Sequence, residues 1–256
     1  MKKLLYNIKG LLQTDEVNST IRKGKSMQEL PQIENAWLLI ENAKIADFGE
    51  MKNLPDIRNV EKEDLQGKFV LPTWIDSHTH LVYAENRESE FVDRLKGKTY
   101  QEIAAKGGGI LNSAKKIQQA DEDELYESAQ YRLKELIRLG TGAIEIKSGY
   151  GLTTDAELKM LRVISRLKEE FPIPVKATFM GAHAVPEECK NDKASYIDLV
   201  TQEILPQVAE LQLADYVDVF CEKGFFDLDD TKKVLTAAEK YRLKTKIHVN
   251  QFNSFG

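Results

Sequence analysis

Only two of the 256 residues are cysteine, Cys189 and Cys221. Two thiols are too few for a disulfide framework, and their lack of paired spacing argues against metal ligation. They read as buried, inert side chains in a reducing compartment. Long apolar runs are also missing. The start, Met1-Lys2-Lys3-Leu4-Leu5, has the basic-then-apolar order of a signal peptide, but Asn7, Lys9 and Gln13 interrupt it and no small-residue cleavage site follows. No stretch approaches the ~20 apolar residues of a membrane span. Neither sign of charge dominates: the net charge of −5 argues against nucleic acid or an anionic membrane as the main partner. These absences point to a cytoplasmic globular chain.

What is present supports a sizeable core. Hydrophobic residues make up 42% and charged residues 30%, and the length suits one large domain or two modest ones. Residues 1–68 read as short strands and turns. Leu4–Leu12, Ala36–Ile40 and Ala43–Phe48 are apolar stretches, with a tight hairpin turn expected at Glu41-Asn42. The charge run Glu61–Asp64 reads as a solvated loop.

From residue 69 the pattern changes. Phe69-Val70-Leu71 leads toward Ile75 as a first strand, and residues 83–120 look like an insertion. Further strands follow at Ala143–Lys147, Val175–Met180, Tyr216–Cys221 and Thr245–Val249. Helices lie between them: Glu122–Leu139, a segment with Leu158, Leu161, Ile164 and Leu167 at three-residue steps, Tyr196–Leu211 and Asp229–Tyr241. This alternation means a parallel sheet of βα units. An eight-stranded barrel needs about 250 residues, more than follow residue 69, so the residues alone allow a five-stranded open sheet or part of a barrel.

The chain has four histidines, His78, His80, His183 and His248, each at or just beyond the end of an expected strand. In a parallel barrel that rim is where active sites assemble. His78 and His80 form an H-x-H pair fed by an apolar strand. Side chains two apart on a strand point the same way, so both imidazoles can share one ion. His248 closes the fifth strand and can complete a three-imidazole set, or it can be a satisfied core histidine. Arg87, between Asn86 and Glu88, reads equally as a surface ion-pair residue; Tyr150, between two glycines, as a turn residue; and His183 as a loop cap near Pro186. Gly107-Gly108-Gly109 lacks the following lysine-serine pair of a phosphate loop and reads as a flexible or substrate-facing segment.

Asp76-Ser77-His78-Thr79-His80 resembles the first-strand signature of the amidohydrolase superfamily. Within it, three segments resemble the imidazolonepropionase family: Gly107–Leu111, Lys147-Ser148-Gly149-Tyr150-Gly151-Leu152, and Thr178-Phe179-Met180-Gly181-Ala182-His183-Ala184. The resemblance runs from about residue 70 onward. It implies the N-terminal part, about five βα units, of a TIM-like (β/α)8 metal-dependent hydrolase barrel (69–256), preceded by a small β-sandwich-like segment (1–68). It also implies hydrolysis of the cyclic amide of 4-imidazolone-5-propanoate to N-formimidoyl-L-glutamate in histidine degradation, with one divalent or trivalent metal ion, zinc or iron.

His78, His80 and His248 match the family's metal ligands, and Arg87, Tyr150 and His183 its substrate-binding positions. His183 is expected to donate to the ring carbonyl or to charge developing there. Gln251, which with His183 matches the catalytic as well as the substrate-binding positions, stands where many members carry a glutamate; it can hydrogen-bond substrate but cannot take a proton as a carboxylate does. The family's fourth ligand, an aspartate late in the barrel, has no counterpart in these 256 residues. The expected partner is this small substrate, with neither nucleic acid nor membrane involved. A homodimer, another cyclic amidohydrolase or deaminase, and an inactive fragment stay open.

Overall fold

The computed structural model describes residues 2–15, 21–99, 102 and 108–256. It separates into two compact units, Met1–Thr73 and Trp74–Gly256.

The first unit is built on one five-stranded sheet: β1 Lys2–Leu12, β2 Gln32–Glu41, β3 Lys44–Glu50, β4 Glu61–Asp64 and β5 Phe69–Val70. Its order is β3-β2-β1-β4, with β5 also pairing β1. Alternation along β2 sends Ala36 and Leu38 to one face and Trp37 and Leu39 to the other. Leu4 joins the second group although Ile8, four residues on, joins the first. A bulge between Leu5 and Ile8, with Asn7 at φ 54°, reverses the side on which β1 residues point.

Three expectations change in this unit. The hairpin turn is Asn42-Ala43, not Glu41-Asn42. Both residues have positive φ, 51° and 60°, as a two-residue hairpin turn requires, and alanine there conceals it from a propensity reading. The charge run Glu61–Asp64 is a strand pairing parallel with β1. Its side chains stay exposed, and Lys3 bridges Glu61 at 3.4 Å and Glu63 at 2.6 Å. Phe69 and Val70 pair with Gly10 and Leu11 of β1 instead of leading the parallel sheet.

The second unit holds a parallel sheet of β6 Trp74–Thr79, β7 Thr141–Lys147, β8 Val175–Ala182, β9 Tyr216–Cys221 and β10 Lys244–Val249, in the order β10-β9-β8-β7-β6. Its helices are α1 Glu88–Leu95, α2 Ile110–Gln119, α3 Glu122–Arg138, α4 Thr154–Glu170, α5 Lys193–Asp198, α6 Leu205–Glu210 and α7 Leu228–Lys240. The single helix expected over Tyr196–Leu211 is interrupted by a π-helical segment, Leu199–Ile204, just before Pro206. Proline has no N–H to continue the α ladder, and a wider turn accommodates its arrival. Side chains at the N-termini of α3, α4 and α7 close those helices: Asp121, Thr153 and Asp227 accept backbone N–H bonds.

The two faces of this sheet differ in chemistry. Ile144 and Ile146, Ala177 and Phe179, and Val217 and Val219 are buried in the helix-covered core with Leu133, Leu161 and Ile164. The intervening positions, Glu145, Lys147, Thr178, Asp218 and His248, face the other way and meet one another. Burial of the apolar face supplies most of the driving force, roughly 1.5–3 kcal/mol per large side chain.

Candidate active site

β6 and β10 are the two edges of the parallel sheet, yet Nε2 of His78 and Nε2 of His248 lie 3.2 Å apart. The sheet therefore curls into a half-barrel, and its polar face is the concave one. Right-handed strand twist produces this curl.

Deep on that face Lys147, 1% exposed, donates to Glu145 Oε1 at 2.7 Å and to Asp218 Oδ2 at 2.9 Å. Lys246 reaches the same Glu145 oxygen at 3.1 Å, and the Thr178 hydroxyl donates to it. Buried charges persist only when paired in this way. Asp218 Oδ2 also lies 2.9 Å from Nδ1 of His248. Burial raises the Asp218 carboxyl, but His248 and Lys147 outweigh it and hold the group at about 2. Asp218 is thus an anion beneath the imidazole that meets His78.

The rim above carries the rings. His78 and His80 have centroids 5.9 Å apart, and His78 and His248 4.5 Å apart. His80 stacks on Tyr150 at 4.7 Å and on His183 at 5.0 Å, the last pair within 8° of parallel. Phe220 stands edge-on to His183 at 6.1 Å and to His248 at 6.2 Å. Burial lowers the His78 imidazole, with His248 adding to it. Burial, reinforced by His183, lowers His80 well below the usual value. His183 falls to about 4, chiefly through burial, against the opposing pull of the Gly149 carbonyl. The three rings are neutral near pH 7.

His183 Nδ1 sits 2.9 Å from the Gly149 carbonyl oxygen. A carbonyl only accepts, so Nδ1 carries the proton, and neutral His183 keeps a lone pair on Nε2. That tautomer makes Nε2 an acceptor, the reverse of the donor role expected from sequence.

The loop bearing Tyr150 follows β7 and is fixed by Glu157 of α4. Both carboxylate oxygens, fully buried, accept backbone N–H bonds: Gly149 at 3.0 Å, Gly151 at 2.7 Å and Leu152 at 3.0 Å. Burial raises the Glu157 carboxyl, while Ser148 and the three backbone donors oppose it. Glycine is required at two points. Gly149 has φ 103°, and a Cβ on Gly151 would lie 2.5 Å from the backbone nitrogen of Glu157. Leu152 is also left-handed at φ 58°, an uncommon state for a branched side chain.

The structure thus brings His78, His80, His248, His183 and Tyr150 into one cluster at the C-terminal ends of the strands. Arg87 and Gln251 are placed differently. Arg87 precedes α1, and its guanidinium pairs with Glu90 at 2.7 Å. Glu90 in turn accepts the Gly109 N–H at 2.9 Å. Gln251 is exposed past the end of β10. Gly107 lies outside the described residues; Gly109, with φ 84°, begins α2. Cys189 is half-buried, Cys221 is buried, and both are free thiols.

Sequence reasoning missed Glu145, Asp218, Phe220 and Glu157. Charged residues at alternate positions of an otherwise apolar strand signalled the first two. Glu157 sits one turn before Leu161 and two before Ile164, on the apolar stripe of α4, where a carboxylate needs a buried partner.

The lowered imidazoles of His78 and His80, an Nε2 pair at 3.2 Å, and buried Nδ1 atoms of His80 and His248 that find no hydrogen-bond partner among the described residues suit a cationic guest. Among the described residues, no three His, Cys, Asp or Glu side chains form a ready-made metal-binding group. Among the described residues, no helix is long and apolar enough to cross a membrane.

No family model matches the chain. Individual proteins do. It is 61% identical over 256 residues to an imidazolonepropionase of Christiangramia forsetii, covering 100% of this chain and 62% of that protein. It is 56% identical over 253 residues to the imidazolonepropionase of Flavobacterium johnsoniae, covering 99% of this chain and 62% of that one. Among solved structures, 5-methylcytosine deaminase from Klebsiella pneumoniae matches with a TM-score of 0.62 at 14% identity, over 98% of this chain and 52% of that one. Guanine deaminase from E. coli matches with a TM-score of 0.58 at 15% identity, over 98% and 53%. These likenesses show the fold alone. The chain is similar in sequence to imidazolonepropionases along its whole length, its fold is like that of the two deaminases, and it spans 62% of the length of those first two relatives.

Proposed function

We propose that this chain carries the catalytic half-barrel of an imidazolonepropionase, which opens the ring of 4-imidazolone-5-propanoate with water to give N-formimidoyl-L-glutamate. One observation carries the reading: the rings of His78, His80, His248, His183 and Tyr150 converge on the concave rim, in a chain 61% identical to a protein of that name. The curled sheet is read as part of a TIM-like (β/α)8 barrel. Ile75 on β6 and Ile247 on β10, 75% and 48% exposed, are the kind of edge residues that further strands cover.

His78, His80 and His248 are the residues that would hold a zinc or iron ion, since neutral imidazole suits both. Bound there, such an ion lowers the pKa of a water from 15.7 to about 7 and polarises a carbonyl.

The chain's own groups do the rest. Asp218, an anion 2.9 Å from His248 Nδ1, places negative charge behind the imidazole whose Nε2 faces His78. The Tyr150 ring and the His183 ring stack beside His80 and offer a flat surface for a planar five-membered ring. His183 Nε2, an acceptor, orients a ring N–H of the substrate. Arg87 is assigned to the substrate's carboxylate, with which a guanidinium makes two parallel hydrogen bonds. Gln251 is assigned a hydrogen bond to substrate and no proton transfer, because an amide does not titrate.

The test is loss of 4-imidazolone-5-propanoate on incubation with the purified chain supplied with zinc or iron(II). Turnover that disappears in His78→Ala and His183→Ala is expected. Turnover unchanged in folded His78→Ala overturns the reading.

A further inference from the structure

We propose that Glu157 is a positioning residue for substrate, acting through the loop that presents Tyr150 and the carbonyl that orients His183; the substrate part of this proposal rests on the function proposed above. The carboxylate sits behind the loop and ties its backbone to α4. Its two oxygens collect three loop N–H groups, from Gly149, Gly151 and Leu152. Ser148 joins it through a side-chain hydrogen bond. The Ser148 oxygen also accepts the N–H of Met180 at 3.1 Å, and the Ser148 N–H donates to the Thr178 carbonyl at 2.9 Å, so the carboxylate is linked to β8 as well.

The consequence for the rings follows bond by bond. Gly149 gives its N–H to Glu157 and its carbonyl to His183 Nδ1. The peptide on one side of that residue is therefore anchored by the Glu157 carboxyl group, while the other selects the histidine tautomer. One residue on, Tyr150 is suspended between two N–H groups held by the same carboxylate and stacks on His80 and His183. Backbone N–H groups turned toward one point form an anion nest. Without the carboxyl oxygens at its centre, these buried dipoles repel one another and the left-handed conformations of Gly149 and Leu152 lose their reason to persist. The close approach of Gly151 to the first turn of α4 shows that loop and helix are seated against each other.

Glu157→Gln tests this with little change of volume. One side-chain oxygen can still accept from Gly151 and Leu152, but the amide nitrogen must face the Gly149 N–H. Amide hydrogen exchange by NMR on the 256-residue chain is expected to show Gly149 losing about tenfold in protection, the loss of one charged hydrogen bond, while Val217–Phe220 of β9 keep theirs. In turnover of 4-imidazolone-5-propanoate, KM is expected to rise about tenfold or more, the scale of a displaced positioning group, while the protected β9 amides show the fold intact. A purely structural role would lower protection throughout and reduce the active fraction without moving KM.

Gly149 protection and KM both unchanged in the folded variant overturn the proposal. If Glu157→Gln does not fold, Ser148→Ala removes the link from the carboxylate to β8: a raised KM supports the proposal and an unchanged KM overturns it. A wild-type chain that turns over no imidazolonepropionate sinks the functional reading, and the exchange at Gly149 then decides this one alone.

Discussion

The segments that follow β7 and β10 are each held by one carboxylate, and the two carboxylates respond in opposite ways. Glu157 gathers the Ser148–Leu152 loop in the buried core, and burial raises its pKa in spite of its donors. Glu222, at the end of β9, accepts the Phe252 N–H at 2.9 Å and the Asn253 side-chain amide at 3.2 Å. Its pKa falls to about 2, first because of the Phe252 N–H. The segment over Glu222 is itself exposed, Phe252 by 52%, whereas the loop over Glu157 includes Leu152 at 1%. Donor number alone does not decide a carboxylate's state: both side chains are buried, at 0% and 1% exposure, and desolvation opposes the donors in each, prevailing at Glu157 and losing at Glu222. The comparison also separates the site residues: Tyr150 is on the pinned loop, and Gln251 is on the open one.

Removing the pin altogether has the largest expected effect on stability. Glu157→Ala leaves three buried N–H groups unpaired at about 1–3 kcal/mol each, so urea unfolding should show a loss of about 3 kcal/mol or more. A loss under about 1 kcal/mol would break the contrast with Glu222. Next comes Gly151→Ala, whose new methyl meets the α4 backbone at 2.5 Å. Overpacking of this kind costs about 1–3 kcal/mol, again read from the urea midpoint.

The pH dependence sharpens the comparison. Glu222 has a folded pKa below the unfolded ~4.3, so its contribution is present above that value and is lost as pH falls toward about 2. Glu157 has a folded pKa above its unfolded value, so its contribution is greatest in acid and declines as pH rises from ~4.3 through the raised folded value. Thermal melts across pH should therefore show Glu222→Gln flattening the acid limb and Glu157→Gln flattening the opposite one. Identical changes in both variants would contradict the assignment. The smallest effect is expected from Gln251→Glu: at an exposed position stability should stay within about 0.5 kcal/mol of the parent, as measured by the same melts.

Much of this was legible beforehand, for physical reasons. The five parallel strands and the helices between them are written in period-2 and period-3.6 patterns that burial enforces. The four histidines were legible because each ends an apolar strand, so the fold had to deliver them to one rim. Glu61–Asp64 was not, because a strand made only of charged residues has no apolar alternation to read. Glu157 was hidden inside a well-formed helix, where its significance lies in loop N–H groups that no spacing rule anticipates. His183 was located correctly, but its donor and acceptor nitrogens depend on the Gly149 carbonyl, a contact across 34 residues.

The account rests on three imidazoles serving one cation. The direct measurement is equilibrium binding of zinc or iron(II) to the chelator-treated chain, alongside His78→Ala and His248→Ala. The account predicts one ion per wild-type chain and its loss from both variants. Variants that bind the ion as tightly as the parent, or a parent that binds none, would contradict it.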